Sequence, residues 1–153
     1  MVTRRARTEV LVESGPALAH ELAGLIEAAC PVRVAVPPRQ GLVMNQVRET
    51  ARMSRFYLGE ALMSECRVRI GDAEGIGVVL GADGALARSL AVIDAAYAAD
   101  PAPAPLAEVD ERIQAAGRAL ERKRAAAAAR IQRSRVDFDE MGGQDMSVQA
   151  VVK

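Results

Sequence analysis

The spacing of apolar residues changes twice along this chain, and those two changes fix what it can fold into. Up to Pro31 the spacing is helical: Leu18, Leu22, Leu25, Ile26 and Ala29 fall on one face. From Val32 apolar residues recur at every second position, the period of a strand. After Asp83 the helical interval returns with Leu86, Leu90, Ile93 and Tyr97. No connection within the period-two stretch is long enough for a parallel crossover helix, so its strands must pair antiparallel. The expected fold class is therefore α+β: two N-terminal helices, an antiparallel sheet of about four strands with a packed helix, and a long C-terminal helical arm.

Local signals set the expected limits. The first helix covers residues 4–13 and stops at Ser14-Gly15; Ser14 is placed to cap the second, with Pro16 in its first turn. Strands are expected over Val32–Val36, closed by Pro37-Pro38, then over Leu42–Met53 and Glu60–Ile70. Asp72-Ala73-Glu74-Gly75 is a tight-turn signal before a short strand, Ile76–Leu80. Pro101-Ala102-Pro103-Ala104-Pro105 cannot be helical and reads as a stiff linker. Beyond it, Leu106 to about Arg133 reads as one helix of roughly 40 Å, with a narrow apolar stripe through Leu106, Val109, Ile113, Leu120 and Ile131. The expected organisation is a core domain over residues 1–100, a linker over 101–105, a helical arm and docking segment over 106–141, and a loose tail over 142–153.

Composition says what holds such a fold together. The chain has 153 residues, enough for one domain and an appendage, and half of them are hydrophobic. Thirty are alanine, while aromatics make up 3% and tryptophan is absent. The core is therefore expected to be thin in large side chains and to be completed by a partner chain. Basic and acidic residues balance at 20 each, which disfavours a general polyanion binder. Eighteen of the basic residues are arginine. Genomic base composition explains that excess, and arginine also suits bidentate recognition of phosphate. Arg4, Arg5 and Arg7 precede no apolar run of a secretory signal, no stretch approaches about 20 apolar residues, and Cys30 and Cys66 make no disulfide scaffold. A cytoplasmic location is expected.

Candidate chemistry is sparse. His20 is the only histidine, expected on the solvated face of its helix, and the two cysteines lack any zinc spacing, so no metal site is expected. No nucleophile elbow or phosphate loop is present. Gly75-Ile76-Gly77 does not match a dinucleotide fingerprint; Gly77 is read as a place where another backbone comes close. Arg48 and Arg52 share one strand face and Arg67 and Arg69 another. If those faces coincide, they make a phosphate-contacting surface; the alternative is a solvated face paired with Glu49, Glu65 and Asp72. The arm has an excess of arginine suited to nucleic acid or an acidic protein groove, but interleaved aromatics are lacking. Phe138, one of two phenylalanines, lies near the end of the chain and reads as a docking anchor.

Several segments, taken in order, resemble one family. Gly41-Leu42-Val43-Met44 through Arg48, Arg55-Phe56-Tyr57-Leu58-Gly59-Glu60, Gly75 to Leu80 followed by Gly81-Ala82-Asp83, Ile93-Asp94-Ala95, and Ser134-Arg135-Val136-Asp137-Phe138 with Met141 are similar to the G subunit of the bacterial carbon–phosphorus (C–P) lyase system. Ala82 departs from that pattern, which tends to have a basic residue there. The resemblance implies a cytoplasmic subunit of a core complex in organic phosphonate catabolism, with H, I, J and L subunits as partners and two-copy symmetry. With H, I and L, such a subunit supports attack of a phosphonate on the anomeric carbon of ATP, so that adenine leaves and ribose 1-alkylphosphonate 5-triphosphate forms. ATP is then a substrate of the complex, and this chain binds no cofactor. The iron–sulfur cluster and S-adenosylmethionine belong to the J subunit, in keeping with the shortage of cysteine here.

Within the matching segments, Glu60 and Asp94 are the carboxylates to weigh as catalytic acids, against a turn or cap hydrogen bond for Glu60 and an ion pair at the helix–sheet border for Asp94. Arg135, Asp137, Phe138 and Met141 are the expected subunit-docking residues. Two rival readings remain at this point: a nucleic-acid-binding or other interaction module built on the arm, and a small autonomous enzyme built around Glu60 and the strand arginines.

Overall fold

A computed structural model describes residues 3–133. Thr3 starts the first helix, α1 (Arg4–Glu13), by accepting a hydrogen bond from the Ala6 N–H. Ser14 closes α1 and does not cap α2 (Pro16–Ala29); the N-cap of α2 is Gly15 at φ 94°, a left-handed conformation that suits glycine. Pro16 takes the first helical position as expected. Ala19, Leu22, Ala23 and Ile26 form the buried stripe of α2.

Three antiparallel strands follow in the spatial order β1-β2-β3: β1 (Arg33–Arg48), β2 (Arg55–Ile70) and β3 (Ala73–Leu80). The sheet has one strand fewer than the spacing predicts because Pro37-Pro38 does not end β1. These prolines lie at a register irregularity between Val36 and Arg39, on an edge strand where a missing N–H breaks no inner ladder. At the other end, β1 stops at Arg48 and does not run on to Met53. The Glu49 carboxylate accepts hydrogen bonds from the Ala51 and Arg52 N–H groups and the Ser54 hydroxyl, turning the chain back, with Met53 at φ 56°. The β2–β3 turn falls at Gly71-Asp72, one step earlier than expected, with Gly71 at φ 58°.

Asp83 caps α3 (Gly84–Ala98) by accepting from the Leu86 N–H at 2.8 Å. This helix is the centre of the fold and packs against β2, β3 and α2; everything from Ser89 to Ala96 is buried. It approaches β3 very closely. A Cβ added at Gly77 would stand 1.8 Å from the Ala87 carbonyl oxygen, and one at Gly75 2.2 Å from the Ala91 oxygen. Gly77 therefore does mark a close backbone approach. Small residues on both sides let the elements meet, and this is how so alanine-rich a chain packs a core. The remaining core is supplied by Leu11, Leu22, Ile26, Val68, Ile93 and the buried Cys66, whose thiol donates to the Val36 carbonyl.

The last helix, α4 (Leu106–Arg133), crosses the boundary between two compact units, which divide after Leu120. In the first unit, Val109 and Ile113 are buried in the core cluster, Tyr97 donates to Asp110 at 2.8 Å, and Arg112 donates to Glu21 at 2.6 Å. The described part of the second unit is helix Glu121–Arg133, exposed except for half-buried Ala127. Arg135, Asp137, Phe138 and Met141 lie outside the described residues. Among the described residues no helix is long and apolar enough to cross a membrane.

Candidate functional site

Two features stand out once the elements are in place: a buried carboxylate clamped by arginines, and a projecting two-stranded ribbon.

The clamp is centred on Asp94 of α3, which lies among apolar neighbours and is only 8% exposed. A carboxylate there needs cationic partners, and α1 brings two from one helix face. Arg4 Nε donates to Oδ1 at 2.8 Å while its terminal nitrogen pairs with Oδ2; Arg7 donates to Oδ1 at 2.8 Å. The Ile76 backbone N–H of β3 donates to Oδ2 at 3.0 Å. Three elements are thereby joined at one side chain. Arg7 also lies 3.9 Å over the centre of the Tyr97 ring. Burial, then the Asp110 carboxylate that its hydroxyl donates to, push Tyr97 well above the ordinary phenol range. The open cleft beside the clamp has a volume of about 440 Å³. Between them the two Asp94 carboxylate oxygens accept from four donor nitrogens.

Glu60, the other carboxylate expected to matter, is not at a turn. It sits inside β2 opposite Met44, exposed, and its carboxylate has no partner among the described residues. The four strand arginines do not converge. Arg67 and Arg69 lie near the base of the sheet, paired with Glu74, the latter at 3.0 Å. Arg48 faces Arg55 at the far end of the β1–β2 hairpin, and Arg52 is in the turn beyond it. Alternation along β2 puts Arg67 and Arg69 on the sheet face away from α3, and Arg48 on the opposite side. His20 is exposed as expected, and it also hydrogen-bonds the buried Ser89 hydroxyl through Nδ1 at 2.9 Å. Among the described residues no group of three or more His, Cys, Asp or Glu side chains is placed to hold a metal ion.

The ribbon is what alternation in the sequence did not disclose. β3 pairs with β2 only from Met63 to Ile70, so Leu42–Arg48 and Arg55–Leu62 have no third strand. Both faces of this stretch expose large apolar side chains: Leu42 at 63%, Met44 at 54% and Tyr57 at 63% on one, beside Gln46 and Glu60, and Val43 at 53% and Phe56 at 44% on the other. Leu58, 69% exposed, occupies a bulge where the register shifts between Asn45 and Gln46. The outer face of the sheet continues this surface with Met63, Ile76, Val78 and Leu80.

Two residues of the clamp, Arg4 and Arg7, were not legible as functional or structural partners from local pattern. The available signal was a lone Asp in the apolar run Ala91–Tyr97 together with two arginines three apart on a helix.

A family model described as phosphonate metabolism protein PhnG matches residues 2–143. No curated protein matches the chain.

Proposed function

The chain belongs to the PhnG family of phosphonate metabolism proteins, and on that premise we propose that it is a non-autonomous subunit of the C–P lyase core complex. Its role in phosphonate metabolism follows from the family. The reaction we assign to the assembled complex, with H, I and L subunits, joins a phosphonate oxygen to C1′ of the ribose of ATP as the bond from C1′ to adenine breaks. Adenine leaves with a proton, and ribose 1-alkylphosphonate 5-triphosphate remains. An oxocarbenium-like transition state of this kind asks for an acid at the leaving base and cations at the triphosphate and phosphonate.

Within this proposal the chain supplies assembly surface and positive charge. Of the four strand arginines, Arg67 and Arg69 at the base of the hairpin remain the candidate phosphate contacts, while Arg48 and Arg52 lie at its far end. Glu60 is the remaining candidate for proton transfer, because Asp94 is occupied by its arginines. Residues 134–141, with Phe138 as anchor, and the exposed part of α4 serve docking. The iron–sulfur and S-adenosylmethionine chemistry is assigned to the J subunit.

The observation that carries the reading is the exposed apolar ribbon, whose two faces are left uncovered by the described residues. The test is turnover: the purified chain is expected to give no product from ATP and methylphosphonate, and product is expected only when H, I and L are added. Product from the chain alone overturns the proposal and favours an autonomous enzyme. A salt-dependent gel shift with nucleic acid near physiological ionic strength favours the interaction-module alternative based on the arginines of α4.

A further inference from the structure

The ribbon has a shape and a charge pattern that specify more than contact. We propose that Leu42–Leu62 inserts between two apolar walls of a partner protein, in a cleft whose floor carries carboxylates, so that both faces of the ribbon are covered. This inference rests on the subunit reading above and assigns the contact to one segment.

The first argument is that the ribbon exposes large apolar side chains on both faces; Gln46 and Glu60, on the face of Leu42 and Met44, ask for a polar group opposite them. A hairpin that lies on a flat surface alternates apolar and polar sides, because its outer side meets water. Here Leu42, Met44 and Tyr57 point one way, and Val43, Val47 and Phe56 the other. Docking on a single surface would leave one of these sets in water. A two-stranded hairpin by itself is also marginally stable in water, and this one extends past β3 by seven paired positions of β1, roughly 24 Å. Covering both faces supplies what a third strand and a packed helix supply to the rest of the sheet.

The second argument is charge. At the end of the ribbon Arg48 and Arg55 are directly opposed across the strands, and Arg52 lies in the turn between them. Opposed like charges destabilise a strand pair. The adjacent Glu49 spends its carboxylate on the turn, and none of the three guanidinium groups has an ion-pair partner among the described residues. An acidic floor relieves that repulsion.

A second copy of this chain fits less well. Stacked in opposite directions, each ribbon end would meet the base of the other sheet, where Glu65 already pairs with Arg39 and Glu74 with Arg67 and Arg69. Stacked in the same direction, arginine would meet arginine. The carboxylates are therefore assigned to a different protein.

The test uses the full-length chain co-expressed with the H, I, J and L subunits. Met44→Asp and Leu62→Asp alter one face, Val43→Asp and Phe56→Asp the other, and Arg48→Glu with Arg55→Glu reverses the end. Far-UV circular dichroism and thermal melts of each purified variant confirm its fold. Wild-type chain is expected to co-purify with the other subunits, and each of the three variant sets to lower recovery at least tenfold. In the wild-type complex, hydrogen exchange at ribbon amides is expected to slow on both strands relative to the free chain. If wild-type chain assembles and the variants of one face alone lose recovery, the two-walled cleft is wrong. If all variants assemble at wild-type yield and ribbon exchange is unchanged, the ribbon is not the contact, although the subunit reading stands. If wild-type chain does not co-purify, the subunit reading fails and this inference with it. A ribbon-dependent dimer of the free chain, or binding of the free chain to vesicles of phosphatidylcholine with phosphatidylserine, overturns the protein cleft. Binding of inorganic triphosphate that is abolished by the Arg48→Glu, Arg55→Glu pair overturns the carboxylate floor.

Discussion

At the scale of single residues, Asp94 is the position where most depends on one group. Arg7 is more deeply buried than the carboxylate it serves, with a side chain 6% exposed against 11%, whereas the Arg4 side chain is 64% exposed and contributes little by comparison. Asp94→Asn keeps the size and removes the charge, leaving Arg7 as a buried cation with a weaker acceptor. Loss of one partner from a buried pair costs about 3–5 kcal/mol. The prediction is a fall of about 3 kcal/mol in urea unfolding, and a fall under about 1 kcal/mol would show that the clamp is incidental to stability. Glu49 acts on a smaller range. The Arg52 N–H, followed by the Ser54 hydroxyl and Ala51 N–H, holds its carboxyl below the ordinary value of 4.5 despite some desolvation. Because the folded value is depressed, the turn is favoured above the unfolded pKa, and that contribution is lost as pH falls through the folded one. Amide resonances of Ala51 and Arg52 should therefore titrate with a midpoint below 4.5, and a midpoint at or above that value contradicts the hydrogen bonds.

Between elements, the contact of β3 with α3 governs. Gly77→Ala would place a methyl group 1.8 Å from the Ala87 oxygen, and because the obstacle is backbone, a whole helix has to move. Overpacking of this kind costs about 1–3 kcal/mol or more. The expected result is a loss of about 3 kcal/mol and a melting temperature lower by roughly 10 °C. Gly41→Ala is the control, since nothing lies within 4 Å of a Cβ there; equal effects from both variants would refute the close approach. This contact was legible in the sequence because a glycine inside a strand gives up a packing side chain, a loss that close approach of another backbone offsets. The helices were legible too, through spacing, Pro16 and Asp83. The merging of two expected strands into β1 was not, because whether two prolines end a strand depends on its being at the sheet edge, which local pattern does not contain. Nor was the pairing of Arg7 with Asp94, 87 residues apart. The basic surface expected from Arg48, Arg52, Arg67 and Arg69 depended on both register and face, and tertiary structure spread those residues to opposite ends of the hairpin.

For the molecule as a whole, the thin core anticipated from so much alanine has a visible counterpart in the apolar side chains left outside. The isolated full-length chain is predicted to bind the dye ANS at neutral pH while retaining native circular dichroism and a cooperative melt. Replacing Leu42, Met44, Tyr57 and Leu58 by serine should reduce that binding severalfold without lowering the melting temperature. Unchanged fluorescence would place the dye on some other surface.

The meeting of Gly75 and Gly77 with Ala87, Ala91 and Ala95 also imposes a rule on any polypeptide that builds itself this way. The strand must offer hydrogen atoms alone at two positions two apart, and, starting ten residues past the second, the helix must offer nothing larger than methyl groups at four-residue steps. That comb of tiny side chains can be sought in raw translations too divergent for ordinary comparison, and a chain carrying it should hold strand and helix at the same unusually short separation.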